Sequence, residues 1–159
     1  EGLCARLAAE RGVAAGVLAE ARECLDGIDE VLGRPTLDDE SFARYTRHNE
    51  RFHNLLAEMV GSGTLARELD RVVRLPFASP SGFVMAQSAL PQARTILIVA
   101  QDQHRSVIEA IENREGERAE SIMREHARLA RRNLQLALAN QATLDLVAGS
   151  ALIRRRKSV

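Results

Sequence analysis

The chain has 159 residues, enough for one domain with a buried core, and it is rich in Ala, Leu, Arg and Glu but lacks Trp. This composition favours helix, and the balance of 22 basic and 22 acidic residues argues against a nucleic-acid surface. Cys4 and Cys24 are too few and too far apart for a disulfide framework, which indicates reduced thiols in a cytoplasmic protein. No apolar run is long enough to cross a membrane, so we expect no membrane partner.

Two helices are predicted in the first third of the chain. A short helix covers residues 1–10 and ends near Gly12, and a long amphipathic helix covers residues 14–32. The second helix stops at Gly33, because Gly suits the position after a helix and Pro35 bars its continuation. Its apolar positions recur at steps of three and four residues: Val17, Leu18, Ala21, Leu25, Ile28, Val31 and Leu32.

A third and a fourth helix precede the one irregular segment. The third helix is predicted over residues 39–60 and is ended by the Gly-Ser-Gly of residues 61–63. Thr64 is predicted to cap the fourth helix, which covers residues 65–75. Residues 75–82 contain two prolines, two serines and a glycine, and this content predicts a loop.

The second half of the chain predicts a helical hairpin. A fifth helix is predicted over residues 84–113, and Pro91 either kinks it or marks the first turn of a new helix near Ala89. Residues 113–116 form the predicted turn, and a sixth helix follows over residues 117–140. No useful stretch shows the period of a strand. The sequence therefore predicts an all-α fold, an antiparallel bundle of six or seven helices.

Three histidines accompany the apolar faces of three different helices. His53 lies on the third helix one turn after Asn49, His104 on the fifth and His126 on the sixth. An antiparallel hairpin could bring His104 and His126 level with each other. His48 is directed well away from His53 and is left out of this set.

Two interpretations of these residues remain open at this point. The imidazoles can be buried structural groups, or they can converge on a divalent metal, since neutral imidazole suits Zn, Ni, Cu or Fe and helical bundles build such sites from facing helices. Three imidazoles and one amide oxygen would leave positions open for water or a small acid. This donor set carries no negative charge, so it would favour an anionic guest.

Segments spread over most of the chain resemble a known family, the FCD domain. This domain is the C-terminal effector-binding and dimerisation domain of FadR-type GntR transcriptional regulators, and the similarity is greatest to the VanR-like subgroup. It covers roughly residues 1–140. The segments that carry it are EGL and AAERG (1–12), NERFHNLL (49–56), SGT (62–64), QHRSVIEAI (103–111) and AESIMREHARLARRN (119–133).

The resemblance implies a metal site with defined ligands. Asn49 holds the place of the Asp in the family's D..FH motif, and His53 is that motif's histidine. His104 matches the histidine that opens the H..I..AI motif, and His126 matches that of the M..H motif. In the family these groups bind a divalent metal, often Zn or Ni, and an effector carboxylate completes the coordination.

The same resemblance implies a regulator rather than an enzyme. Residues 1–147 would form the ligand-binding and dimerisation domain, and residues 148–159 a basic tail that includes Arg154 to Lys157. The implied partners are a small organic acid, a second copy of the chain, and operator DNA contacted through an N-terminal winged helix-turn-helix that lies outside this chain. The alternatives are a metal-dependent enzyme acting on a small carboxylic acid and a metal-free dimerisation module.

Candidate effector residues follow from helix spacing around the proposed ligands. Tyr45, Gln101 and Asn133 each lie one or two turns from a ligand on the same face. Arg71 or Arg74 on the fourth helix would suit a carboxylate, because a guanidinium can bind it with two parallel hydrogen bonds.

Overall fold

A computed structural model describes residues 1–75, 78–81, 84 and 92–139 of the chain, with the backbone alone at 133, 134 and 136–139. These described residues form six helices and no strand, so the all-α prediction is confirmed. The helices are α1 (Gly2–Arg11), α2 (Ala15–Leu32), α3 (Asp39–Glu58), α4 (Gly63–Val73), α5 (Ala93–Glu112) and α6 (Gly116–Ala139).

The first three helices lie within two residues of their predicted bounds. Gly12 ends α1 with a φ of 86°, a backbone conformation that glycine adopts without strain. The carboxylate of Asp38 accepts a hydrogen bond from the backbone N–H of Ser41 at 2.9 Å and thereby caps α3. The capping residue and the glycine are local signals, which explains why these boundaries were predictable.

The cap predicted for α4 was wrong. The hydroxyl of Ser62, rather than that of Thr64, accepts from the backbone N–H of Leu65 at 3.4 Å. Ser62 has the extended backbone of a capping residue, with φ −119° and ψ 105°. Thr64 already lies in the first turn of the helix, where its hydroxyl accepts a hydrogen bond from Arg67 at 3.3 Å.

Of the two alternatives that Pro91 left for the fifth helix, a kink or a new helix near Ala89, the described residues contain a new helix, α5, which begins four residues later at Ala93. Gln92 is a turn residue with ψ 9°, and α5 begins immediately after it. The physical reason is Pro91, which has no N–H to donate inside a helix. Pro91 itself, the end predicted for the sixth helix at residue 140 and the basic tail lie outside the described residues.

A tight turn joins α5 to α6 as predicted. The backbone N–H of Glu115 donates to the carbonyl of Ala110 at 2.8 Å, and that of Arg114 donates to Ile111 at 3.2 Å. Together these two bonds form a Schellman motif with Arg114 in the left-handed region at φ 64°. The Arg114 guanidinium also donates to the carbonyl of Glu10 at 2.7 Å, so the turn is tied to the end of α1.

One apolar core holds the helices together. Helix α1 packs on α6, α2 packs on α3 and α5, and α5 packs on α6. The face predicted for α2 is inward, since Ala21, Leu25, Ile28, Val31 and Leu32 are buried and Val17 and Leu18 are partly buried against them. Full burial of an aliphatic side chain contributes roughly 1.5–3 kcal/mol, so this face alone fixes α2 in the bundle.

Two further sequence predictions concern the cysteines and membrane insertion. Cys4 and Cys24 are free thiols and both are buried. None of the helices in the described ranges combines the length and the apolar character needed to cross a membrane.

Candidate metal centre

Three helices bring the predicted histidines together inside the bundle. His53 comes from α3, His104 from α5 and His126 from α6, and their exposed fractions are 3%, 0% and 8%. One ring nitrogen from each histidine lies within 4.8 Å of the others. The clustering that the sequence left open is therefore present in the fold.

Each imidazole is oriented by an acceptor on its Nδ1 atom. The Nδ1–H of His53 donates to the carboxylate of Glu1 at 2.9 Å. The Nδ1–H of His104 donates to the side-chain oxygen of Gln101 at 3.3 Å, and that of His126 donates to Gln103 at 3.2 Å. A proton on Nδ1 leaves Nε2 as an unprotonated lone pair in the neutral ring.

The orientation of the Gln101 amide fixes the tautomer of His104. Its side-chain nitrogen donates to the carbonyl of Leu25 at 2.9 Å and to the carboxylate of Asp29 at 2.8 Å. The carbonyl and the carboxylate can only accept hydrogen bonds, so the amide oxygen of Gln101 must face His104. The Nδ1 atom of His104 must therefore carry the proton.

The Nε2 atoms are consequently left with free lone pairs. Those of His104 and His126 are 3.3 Å apart, and that of His53 is buried without a hydrogen-bond partner among the described residues. Lone pairs at such a distance repel unless a cation lies between them. Two Zn–N bonds of about 2.0–2.1 Å at a tetrahedral angle separate their nitrogens by about 3.3 Å, so a divalent metal fits this arrangement.

The electrostatics of the cluster keep two of its imidazoles neutral. Burial, followed by the nearby His126 and His53, holds the pKa of His104 well below its usual range. Burial, with a smaller contribution from His53, lowers the pKa of His126 to about 4. Neutral imidazole is the form that ligates a metal, so these two rings are in the required state at neutral pH.

Asn49 lies beside this cluster, but its amide is also engaged elsewhere. Its side-chain nitrogen donates to the hydroxyl of Ser81 at 3.0 Å, and both side chains are buried. Asn49, Tyr45 and His126 line one small cavity of about 30 Å³. With the nitrogen held by Ser81, the amide oxygen is the atom available as a ligand.

Comparison with known proteins identifies the family. The family model for the FCD domain matches residues 1–129, which is most of the chain. The chain belongs to the FCD domain family. A search of curated proteins found no matching relative. FCD domains are the effector-binding regulatory domains of GntR-type regulators, so the chain is a regulatory domain of this type, and the VanR-like subgroup stays a prediction.

A cleft leads to the histidine cluster of this FCD domain. It has a volume of about 740 Å³ and lies between α3, α4 and the loop at Ser79 and Pro80. Glu1 and His53 line it, as does Arg74, which forms an ion pair with Asp70 at 2.9 Å. Its volume is within the range of small-molecule sites, about 300–1,000 Å³.

The predicted effector residues occupy different environments. Tyr45 is buried in the small cavity, and Arg74 lines the cleft, whereas Arg71 is 82% exposed and 4.0 Å from Glu68. Gln101 uses its amide on His104 and α2. The side chain of Asn133 lies outside the described residues. Effector binding by these five residues stays a prediction.

Sequence reasoning missed the acceptors behind two of the imidazoles. Glu1 and Gln103 were assigned no role, and Gln101 was assigned to the effector rather than to His104. Gln103 directly precedes His104 in sequence yet bonds the histidine of the next helix, so no local pattern indicates its role. Ser81 was noted in the loop, but nothing in the sequence connects it with Asn49.

Proposed function

We propose that this FCD domain senses a small organic acid through a bound divalent metal, Zn or Ni. The proposed ligands are the Nε2 atoms of His53, His104 and His126, with the side-chain oxygen of Asn49 as a weaker fourth. The observation that carries the proposal is the convergence of ring nitrogens from three buried histidines whose Nδ1 atoms are all occupied by acceptors. A cation bound among these nitrogens would satisfy all three lone pairs.

The donor set also indicates the class of effector. Three neutral imidazoles and an amide leave the full charge of a divalent metal uncompensated by the ligands themselves. A metal bound there supplies a Lewis-acidic position that a carboxylate oxygen can occupy. The cleft of about 740 Å³ gives a small acid access to His53, with Arg74 available on its wall.

Regulation follows if the acid favours one arrangement of the helices. The proposed ligands lie on α3, α5 and α6, so an effector held at the metal contacts three elements of the bundle. A ligand shifts a conformational equilibrium only by its difference in affinity for the two states. We propose that the shift is transmitted through a homodimer to an N-terminal winged helix-turn-helix that binds operator DNA.

The metal content of three proteins tests the site. We expect about one equivalent of Zn or Ni in the untagged wild-type chain and in His48→Ala, measured by elemental analysis after dialysis against the metal. His48 is the matched control, because its ring lies against Gly27 of α2 rather than in the cluster. The double variant of His104→Ala and His126→Ala should lose the metal. Full metal content in that variant would refute the site.

A thermal-shift screen tests the effector class. Organic acids that bind at the metal should raise the apparent melting temperature of the metal-loaded protein, since ligand binding to the folded state stabilises it. The same acids should have no effect after treatment with a chelator. Stabilisation that survives chelation would place the acid away from the metal and contradict this part of the proposal.

A further inference from the structure

The three acceptors behind the imidazoles differ in charge. His104 and His126 donate to the neutral amides of Gln101 and Gln103, whereas His53 donates to the carboxylate of Glu1 at 2.9 Å. The Glu1 side chain is only 19% exposed and the His53 side chain 3%. A partly buried carboxylate therefore lies in direct hydrogen-bond contact with one of the three imidazoles, whereas the other two imidazoles contact neutral amides.

The packing of α1 fixes this carboxylate in place. Glu1 precedes α1, which packs along α6, and its own carbonyl accepts the first helical hydrogen bond, from Ala5 at 2.9 Å. A Cβ atom added at Gly2 would lie 3.2 Å from the side chain of Arg124 and 3.3 Å from the carbonyl of Glu120. The backbone at this end of α1 thus lies directly against α6, and Glu1 has little freedom to withdraw from His53.

We propose that Glu1 is a positioning residue of the metal site, acting through His53, and this inference rests on the metal binding proposed above. Its carboxylate holds the His53 ring with Nε2 directed at the cluster. Its negative charge makes the imidazole a stronger donor and offsets part of the charge of a divalent cation. Carboxylates behind metal-binding histidines act in this way, and their loss typically costs about 10–100-fold in metal affinity.

The geometry places Glu1 behind the ring rather than in the coordination sphere. The carboxylate oxygen of Glu1 contacts the Nδ1 atom of His53. The cluster of potential ligand atoms contains one ring nitrogen from each of His53, His104 and His126 and no atom of Glu1. Nδ1 and Nε2 point away from different edges of the imidazole. A metal held by Nε2 therefore has the ring of His53 between itself and the carboxylate.

Metal titration of matched variants tests this role. Zn affinity would be measured by competition with a chromophoric chelator for the wild type, Glu1→Gln, Glu1→Ala and Glu10→Gln. Glu10→Gln is the control, since it removes the same charge at the other end of α1. The partner of Glu10 is Arg6, at 2.7 Å, rather than a histidine of the cluster. We expect about 10-fold weaker binding for Glu1→Gln, up to about 100-fold for Glu1→Ala, and no change for Glu10→Gln.

Two further readouts separate positioning from general stability and from direct ligation. The metal-free Glu1→Gln protein should still unfold in one cooperative urea transition, as the wild type does, and its Co(II) absorption spectrum should keep the same band positions. Affinity of Glu1→Gln within twofold of wild type would overturn the inference, as would a shifted Co(II) spectrum, which would mark Glu1 as a ligand. A wild-type chain that binds no Zn would instead refute the proposed function itself.

Discussion

Removal of metal should make this protein sensitive to mild acid. The metal-free cluster buries imidazoles that can be protonated in the unfolded chain but resist protonation in the folded one. His126 has its pKa lowered from 6.5 to about 4 by burial and by His53. Below pH 6.5 the unfolded state therefore binds a proton that the folded state excludes, and the free energy of unfolding falls as the pH falls.

The size of the effect follows from the difference between the pKa values of His126 in the unfolded and folded states. A pKa difference of one unit corresponds to about 1.4 kcal/mol, so His126 alone should cost about 2 kcal/mol at pH 5 and on the order of 3 kcal/mol by pH 4. His104 contributes in the same direction, because burial and its histidine neighbours lower its pKa as well. Glu1 matters only at lower pH, since its pKa is lowered from 4.5 to about 2: burial raises it, but the charge and hydrogen bond of His53, with the charges of the terminal amine and His126, together lower it by more.

Urea unfolding in the presence of a chelator measures this loss directly. The free energy of unfolding of the wild type should fall by about 2 kcal/mol or more between pH 7 and pH 5, which is a large part of a typical domain's stability. His126→Gln removes one titrating group and should show a smaller fall. A change of less than about 0.5 kcal/mol in the free energy of unfolding of the wild type over this range would refute the reasoning. The loss expected from a single buried neutral imidazole is already larger than that.

Three further predictions concern packing, capping and metal linkage. A Cβ atom at Gly27 would lie 2.5 Å from the ring of His48, so Gly27→Ala should destabilise the fold by about 1–3 kcal/mol in urea unfolding. In a His48→Ala background the same change should become stabilising by up to about 1 kcal/mol, and the absence of that reversal would exclude the contact as the cause. Asp38→Ala should cost about 1 kcal/mol by the same measurement, because the backbone N–H of Ser41 loses its cap, and an unchanged midpoint would contradict this. Zn at a hundredfold excess over its dissociation constant should stabilise the wild type by about 2.7 kcal/mol but leave His104→Ala unaffected, and equal stabilisation of both would argue against His104 as a ligand.

The sequence alone determined the helices and the residue types of the proposed metal site. Apolar residues at steps of three and four placed α2 and its buried face, and Gly12 marked a helix end that the structure contains. These signals are local, because helix periodicity and capping depend on residues within a few positions of each other. The error at Thr64 and the four-residue offset at the start of α5 are also local, and each concerns which of several neighbouring residues begins a helix.

The sequence predicted that the three histidines belong together, but it did not predict the distances between their ring nitrogens. Their residue type and their place beside the apolar faces of three helices indicated a shared interior, and the family motifs named the same residues. The sequence still left a metal site and three structural histidines as open alternatives. The distances among the ring nitrogens and the acceptors on each Nδ1 atom exist only once the helices are docked, and they support the metal site proposed above.

The tertiary structure alone decided which residues stand behind the ligands. Glu1 reaches His53 across 52 positions of the chain, and Asn49 reaches Ser81 across 32. Gln101 joins His104 to α2, and Gly27 admits the ring of His48. Each of these contacts depends on how distant segments of the chain lie against each other, and neither helical period nor residue type carries that information. The sequence therefore determined which side chains are available to a metal, while helix docking decided how each is held.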